Sequence, residues 1–511
     1  MSSWPMWPLW VVLALSVLAL AGYATLWSAG RFAKRKRGPQ ATSLPRGEDA
    51  TLDRLLAPLE QAHGGQTGIA MIESPYEALK IRLAMTQMAE RSLDLLYYMW
   101  EDDLSGRFLA QAILEAADRG VRVRLLLDDV QFLNKDPVYR ALDRHMHIEV
   151  RIFNPIRNRD RGLRRGLEMI FTLLPYNRRM HGKMWAADAR LAVTGGRNIG
   201  DEYFDLLADP GLNYEDLDTL LAGEVMQDAQ ALFDQFWNSG LALPIRTLWP
   251  GKRSRLQRFR SRLTQYLAKP KTRARLHRLQ LHKPEEAADV LPLAKLRWSA
   301  DVQFLGDPPE KAIGERLDDW MPDLLTPLMR DAQHSVRLMT PYFVPGAQGL
   351  EALISMARRG LEVEVITNGL AVSDNVLVHG AYRWYRQRLL AAGVRIYEVS
   401  AQEQPFRTLH SKAMLVDGTH GFVGSFNFDL RSAFMNTEMG VVFTDPALIA
   451  DLTRIFNGCR APHRAYALAQ SGRRAVWSRG TAPGTTTEPQ SNRIERSVSF
   501  VIGLLPIHRF L

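Results

Sequence analysis

The sequence predicts an α/β protein of two similar halves, each a mixed sheet flanked by helices, sharing one active site behind a single N-terminal transmembrane helix. Three observations predict it: a strand, helix, strand unit that occurs twice, a chemical motif of fixed internal spacing that occurs twice, and one long apolar run near residue 1. At 511 residues the chain exceeds one ordinary core. Its 46% apolar and 23% charged residues are those of a folded globular protein without a large disordered share.

Trp4 to Trp27 is almost wholly apolar and free of formal charge. At about 1.5 Å per residue it is long enough for a bilayer core of about 30 Å. Trp4, Trp7 and Trp10 at one end and Trp27 at the other suit the headgroup region. A secretory signal carries its basic stretch before the apolar core. Here no Lys or Arg precedes the run, and Arg31, Lys34, Arg35, Lys36 and Arg37 follow it. The positive-inside rule then places the rest of the chain in the cytoplasm. Residues 1–30 are read as an anchor and 31–55 as a basic juxtamembrane linker.

The two halves are assigned to 56–242 and 295–470. In the first, Ala89 to Tyr98 reads as a helix end feeding a buried strand, followed by a helix around Phe108 to Asp118, then Gly120 and a strand from Val121 to Leu127. The second repeats this with Ala332 to Met339, a helix around Leu350 to Arg359, Gly360, and a strand from Leu361 to Ile366. Such crossovers imply parallel strands with helices packed on the sheet. Between the halves, in 243–294, the stretch Lys252 to Lys283 holds twelve Lys or Arg and no Asp or Glu. It is either a solvated linker or a segment lying on anionic lipid. Residues 471–496, rich in Gly, Thr, Pro and Arg, are expected to be a flexible linker. The apolar tail 497–511 either dips into the membrane interface or packs back on the body.

The repeated motif reads His181, Lys183, Asp188, Gly195, Asn198 in the first half and His410, Lys412, Asp417, Gly424, Asn427 in the second. Every matched position differs by 229, so both copies keep the same internal spacing. His and Lys two apart on a strand project from one face. Asp188 and Asp417 begin a turn, and a returning strand brings the glycines and the Asn back beside the His and Lys. Small glycines permit close approach of a ligand, and an Asn amide can donate to an anionic oxygen. Two halves facing each other would surround a phosphodiester. One neutral imidazole can attack phosphorus to give a phosphohistidine while the other, protonated, donates to the departing alkoxide. Lys183, Lys412, Asn198 and Asn427 would neutralise the non-bridging oxygens, the part metal ions play elsewhere. No metal or other cofactor is expected.

An imidazole working through one nitrogen needs the other held by an acceptor. Glu438 and either Asp216 or Asp218 are the candidates. The lone cysteine, Cys459, excludes any intramolecular disulfide and is read as a buried thiol. A formal charge of +10 and a pI near 9.6 favour polyanionic partners, either nucleic acid or anionic lipid.

With these residues in view, the duplicated motif resembles that of the phospholipase D superfamily. Tyr97-Tyr98-Met99-Trp100, Asn177 to His181, Gly195 to Asp201, Gly424 to Ser432 and Asn436 to Gly440 are similar to the bacterial cardiolipin synthases of the C type. The resemblance covers roughly residues 60 to 240 and 295 to 470. It implies transfer of a phosphatidyl group from phosphatidylethanolamine or phosphatidylglycerol to phosphatidylglycerol, with His181 as nucleophile and His410 as acid, then base. It also implies a phosphate-contacting hydroxyl at Ser425, where the first copy has Gly196, and a place in the bacterial inner membrane. The same residues with water as acceptor would give a phospholipase D or a nuclease. The anchor and its basic flank favour lipid over nucleic acid, and two intact motifs argue against a noncatalytic scaffold.

Overall fold

A computed structural model of the chain describes residues 7–33, 37–129, 136–156, 158–159, 165, 168, 176–207, 213–248, 255–276, 284–316, 319–401, 407–472 and 474–504. The strands of the first half are β1 (Thr67–Ile72), β2 (Ser92–Tyr97), β3 (Arg122–Asp128), β4 (Ile148–Phe153), β5 (Met184–Ala187), β6 (Leu191–Gly195), β7 (Tyr214–Glu215), β8 (Asp218–Gly223), β9 (Ala242–Pro244) and β10 (Arg297–Ser299). Those of the second are β11 (Val302–Gly306), β12 (Ser335–Met339), β13 (Phe343–Val344), β14 (Glu362–Asn368), β15 (Arg395–Val399), β16 (Thr408–Leu409), β17 (Ala413–Val416), β18 (His420–Gly424), β19 (Phe428–Asp429), β20 (Met439–Phe443), β21 (Ala465–Ser471), β22 (Arg474–Arg479) and β23 (Ala482–Thr485).

The main sheets run β10-β1-β8-β6-β5-β2-β3-β4-β9 and β11-β20-β18-β17-β12-β14-β15-β21-β22-β23. Both are mixed. β2, β3 and β4 are parallel, as are β12, β14 and β15, while the motif hairpins β5-β6 and β17-β18 add antiparallel strands. The crossover helices are Leu104–Asp118 and Gly346–Arg358. Each ends before a glycine in the left-handed region, Gly120 at φ 99° and Gly360 at φ 92°, which lets the chain reverse into the next strand. β2 is buried along its whole length, as expected of a strand covered on both faces. One apolar core lies between the halves, joining Met184, Leu221 and Phe233 to Ala413, Val441 and Phe443.

Several boundaries depart from expectation. The N-terminal helix runs Trp7–Ala33 with apolar side chains exposed from Trp10 to Tyr23. The expected transmembrane span is corrected: among the described residues no helix is long and apolar enough to cross a membrane. Lys34, Arg35 and Lys36, on which the orientation rested, lie outside the described residues. β10, placed by sequence in the second half, completes the first half's sheet, where Trp298 stacks on His63.

Within the basic interdomain segment, helices Leu256–Leu267 and Pro270–Leu276 pack on the first half through Leu263 and Leu276, and the Arg107 guanidinium covers the Tyr266 ring at 4.2 Å. Residues 251–254 and 277–283 of that segment lie outside the described residues. The expected linker 471–496 is also corrected, because β22 and β23 extend the second sheet. Ala475 and Trp477 point inward, and Gly472 and Gly480 make the left-handed turns that the composition suggested were flexible. Helix Arg493–Leu504 packs back on helix Val376–Ala391, with Ile502 seated where a Cβ on Gly380 would be. The tail beyond Leu504 lies outside the described residues.

Candidate active site

His181 and His410 lie in extended segments just before β5 and β17, and each segment is held by the other half. The His181 amide donates to the Thr437 carbonyl at 2.8 Å, and the His410 amide donates to the Glu215 carbonyl at 2.7 Å. These pairings carry the next residue of each partner segment under the opposite imidazole. His181 Nδ1 lies 2.8 Å from Glu438 Oε2, and His410 Nδ1 lies 2.6 Å from Asp216 Oδ2. Asp218 is elsewhere, paired with Arg82 at 2.9 Å and Arg197 at 3.4 Å. Each imidazole is therefore oriented by a carboxylate from the opposite half, with Nε2 turned away from it; His410 Nε2 lies 3.3 Å from Lys412 Nζ.

The two carboxylates have different settings. Glu438 also accepts from Ser425 Oγ at 2.5 Å and Ser432 Oγ at 2.7 Å, and its backbone amide donates to Asp307 Oδ2 at 2.8 Å. Asp307 is itself paired with the buried Lys311 at 2.8 Å. Asp216 takes the Leu217 amide at 2.8 Å. Gly196, at the position matching Ser425, lies so close that a Cβ there would be 2.2 Å from Asp216 Oδ1. The first half thus combines glycine with a short carboxylate and the second combines serine with a longer one.

Lys183 and Lys412 each donate to the carbonyl of the histidine two residues earlier, and Lys412 Nζ is 2.8 Å from His410 Nδ1. Burial pushes the His181 imidazole down to about 4, with the Lys183 and Lys412 charges in the same direction and Glu438 opposing. Burial and Lys412 lower His410 as well, against Asp216. Burial brings Lys183 to about 7 and Lys412 to about 8. Desolvation would raise Glu438 and Asp216, but the neighbouring His and Lys charges outweigh it and hold both low. Aromatic walls close the site: Tyr98 meets His181 edge-on at 5.0 Å, and Tyr203 and Tyr214 lie 5.2 and 5.0 Å from His410. Asn198 Nδ2 donates to the Tyr203 hydroxyl at 3.0 Å, while Asn198 Oδ1 and Asn427 Oδ1 are buried without a partner.

Two motif residues stand outside this cluster. Asp188 and Asp417, which begin the expected turns, sit at the far ends of β5 and β17 from the lysines. Asp188 accepts the amides of Glu90, Arg91 and Ser92 at 2.9, 2.9 and 2.7 Å, and Asp417 those of Gln333, His334 and Ser335 at 2.8, 2.7 and 2.8 Å. They pin the entrances of β2 and β12. Ser425, for which the resemblance implies a phosphate contact, donates its hydroxyl to Glu438 beside His181. Sequence reasoning assigned no role to Ser432, Tyr98, Tyr203 or Tyr214; a serine a few residues past the second Asn was the only local signal for the first of these. Among the described residues no group of three or more His, Cys, Asp or Glu could hold a metal ion. Cys459 is buried, its thiol pushed up by desolvation and by Glu215 at 3.6 Å.

Comparison with known proteins agrees with this architecture. The family described as "Cardiolipin synthase, PLD-like domain" matches residues 83–237 and 325–460. The chain is 36% identical over 409 residues to cardiolipin synthase C of Escherichia coli, covering 76% of this chain and 84% of the relative. It is 26% identical over 414 residues to cardiolipin synthase A of Erwinia tasmaniensis, covering 80% and 73%. Phosphatidylserine synthase of Haemophilus influenzae shares the fold with a TM-score of 0.55 at 13% identity, over 88% of this chain and 96% of that one. The chain belongs to the phospholipase D-like cardiolipin synthase family and is a phospholipid phosphatidyltransferase.

Proposed function

We propose that the chain makes cardiolipin by moving a phosphatidyl group from phosphatidylethanolamine or phosphatidylglycerol onto phosphatidylglycerol, through a phosphohistidine at His181. The observation that carries this reading is the crossed pair of buried imidazoles, each with a carboxylate on Nδ1, between two lysines. His181 Nε2 attacks phosphorus, and the bond to the headgroup oxygen breaks as His410 gives that oxygen a proton. The headgroup leaves as ethanolamine or glycerol. A hydroxyl of phosphatidylglycerol then loses its proton to His410 and attacks phosphorus, and the bond to His181 breaks. Its pKa near 4 keeps His181 a free base at neutral pH, as a nucleophile requires. Burial holds Lys183 and Lys412 below the ordinary lysine range, and the charge of a phosphate beside them favours their protonated forms. If the Asn198 amide turns over, it accepts from the Tyr203 hydroxyl and presents Nδ2 to a phosphate oxygen.

The work is done at a membrane surface. Two features support this: the apolar face from Trp10 to Tyr23, and the exposed Arg255, Arg258, Arg262, Lys271 and Arg273 on the interdomain helices. Each basic residue near anionic lipid contributes about 1 kcal/mol.

The test is lipid mass spectrometry of a cardiolipin-free bacterial host expressing the chain, with headgroup-labelled donors. Cardiolipin with loss of the donor headgroup is expected, and none from His181→Ala. Phosphatidic acid as the main product would show water to be the acceptor, and activity in His181→Ala would overturn the mechanism.

A further inference from the structure

The second half contains a cavity of about 500 Å³ walled by Leu325, Met329, Phe343, Leu353, Phe426 and Phe434. Helices Met321–Arg330 and Gly346–Arg358 form its sides. No Lys or Arg lines it, and Asp429 is its one charged residue, which excludes a phosphate or nucleotide as occupant. Its size is that of a small-molecule site, within about 300–1,000 Å³.

The cavity adjoins the catalytic cleft. Phe426 and Phe428, which line it, are the chain neighbours of Asn427 in the second motif, and Asn427 itself is not among the lining residues. Asp429, at its inner end, caps the short helix Leu430–Phe434 through the Ser432 amide at 2.7 Å. The Ser432 hydroxyl in turn holds Glu438. At the other end Phe434, Ala347 and Gln348 reach solvent. The lining therefore includes both a residue bonded into the group that holds Glu438 and residues at the surface.

The pseudo-symmetry sharpens this. At the place matching Phe426 the first half has Arg197, fully buried, whose guanidinium donates to the carbonyls of Ile72 at 3.0 Å and Glu73 at 2.6 Å. The duplicated position is filled by a bonded arginine in one half and opens on an apolar hollow in the other. A hollow of this kind beside a phosphodiester site fits the part of the substrate that is neither phosphate nor headgroup.

We propose that the cavity holds one fatty acyl chain of the phospholipid whose phosphate occupies the cleft. The inference rests on the reading of the chain as a phosphatidyltransferase acting on diacyl lipids. The test uses the full chain in vesicles of phosphatidylglycerol carrying a diazirine at the acyl terminus, with illumination and peptide mapping. Label is expected on 321–330, 346–358 and the Phe434 peptide. Label confined to the N-terminal helix and the basic helices would overturn the proposal. A second arm replaces Ala352 by Trp and compares dioleoyl with dihexanoyl phosphatidylglycerol as substrate. Filling the hollow should lower the long-chain to short-chain activity ratio about tenfold, and an unchanged ratio would count against the site. Should the variant not fold, the labelling of the unaltered chain still decides. Should the unaltered chain form only phosphatidic acid, the transferase reading falls while the label pattern still reports the cavity.

Discussion

The division of labour between the two histidines can be tested through their carboxylates and the leaving group. Asp216 is fully buried with its Oδ2 2.6 Å from His410 Nδ1. Asp216→Asn keeps the shape and removes the charge that favours an imidazolium. A hydrogen bond to a charged group contributes about 1.5–3 kcal/mol, or roughly 10- to 150-fold in rate, and general acid catalysis as a whole about 10²–10⁴-fold. Release of an ethanolamine or glycerol headgroup, a poor leaving group, should therefore slow by about 10²-fold. With a p-nitrophenyl phosphodiester the leaving group departs as a stable phenolate and needs no proton, so the first step of the same variant should lose less than about threefold. Glu438→Gln disturbs the attacking imidazole and should slow both substrates alike, by about 10²-fold. Rapid-quench measurement of nitrophenol release and of acid-labile phosphoenzyme separates the cases. If the nitrophenyl substrate rescues Glu438→Gln and not Asp216→Asn, the roles of His181 and His410 are reversed.

Gly196→Ser should push Asp216 off His410, because a Cβ would sit 2.2 Å from its carboxylate; kcat is expected to fall by about 10²-fold with the fold intact by circular dichroism. The pH profile of kcat/KM should rise through about pH 4 as His181 loses its proton, and fall on its alkaline side as His410, which burial and Lys412 lower, loses the proton it must donate, and further as Lys183 and Lys412 lose theirs near 7 and 8. A flat profile from about pH 5 to 9 would contradict it. Burial alone would raise Glu488, but His379 and the Arg386 guanidinium, 2.9 Å away, hold it at about 2. Its stabilisation is present above the ordinary carboxylate range and is lost as pH falls toward 2, so the loss in Glu488→Gln, about 3 kcal/mol at pH 7 by denaturant melts, should shrink below about pH 4. Asp188→Ala strands three amides and should cost about 3 kcal/mol or more, while activity per folded molecule is largely kept.

The sequence carried the site's inventory better than its connections. A constant offset of 229 exposed the two motifs and the mixed sheets around them, since a duplicated hairpin must recreate its own local structure. The orienting carboxylates do not share that offset, so register alone left Asp216 and Asp218 equivalent. Only the pairing of β7 with β16 turns Asp216 toward His410, across 194 residues of chain, as the bridge at Met180 and Thr437 turns Glu438 toward His181 across 257. Asp188 and Asp417 begin the turns expected of them, but spacing within the motif carried no sign of the strand-entrance amides they hold, which lie 82 to 98 residues away in the chain. In 471–496 composition misled, because glycines at positive φ made tight hairpin turns in strands whose inward residues, Ala475 and Trp477, were too few to show a period.

The crossed pairing has a consequence for how the enzyme works. Neither half holds a complete catalytic group, since each histidine lacks its carboxylate until the other half has folded against it. The apolar core shared between the sheets then fixes both imidazoles at once. Duplication also supplies two chemically identical histidines, where the proposed reaction needs them different. The differences lie around Nδ1. Glu438 divides its acceptor capacity among His181, Ser425 and Ser432, so it orients His181 without drawing strongly on a second proton. Asp216 has no hydroxyl beside it at Gly196 and faces His410 and Lys412. On the proposed reading, an arriving phosphate draws Lys412 toward its own oxygens and leaves Asp216 to His410. The imidazole next to Asp216 then becomes the more basic of the two, so the substrate itself charges the acid it needs.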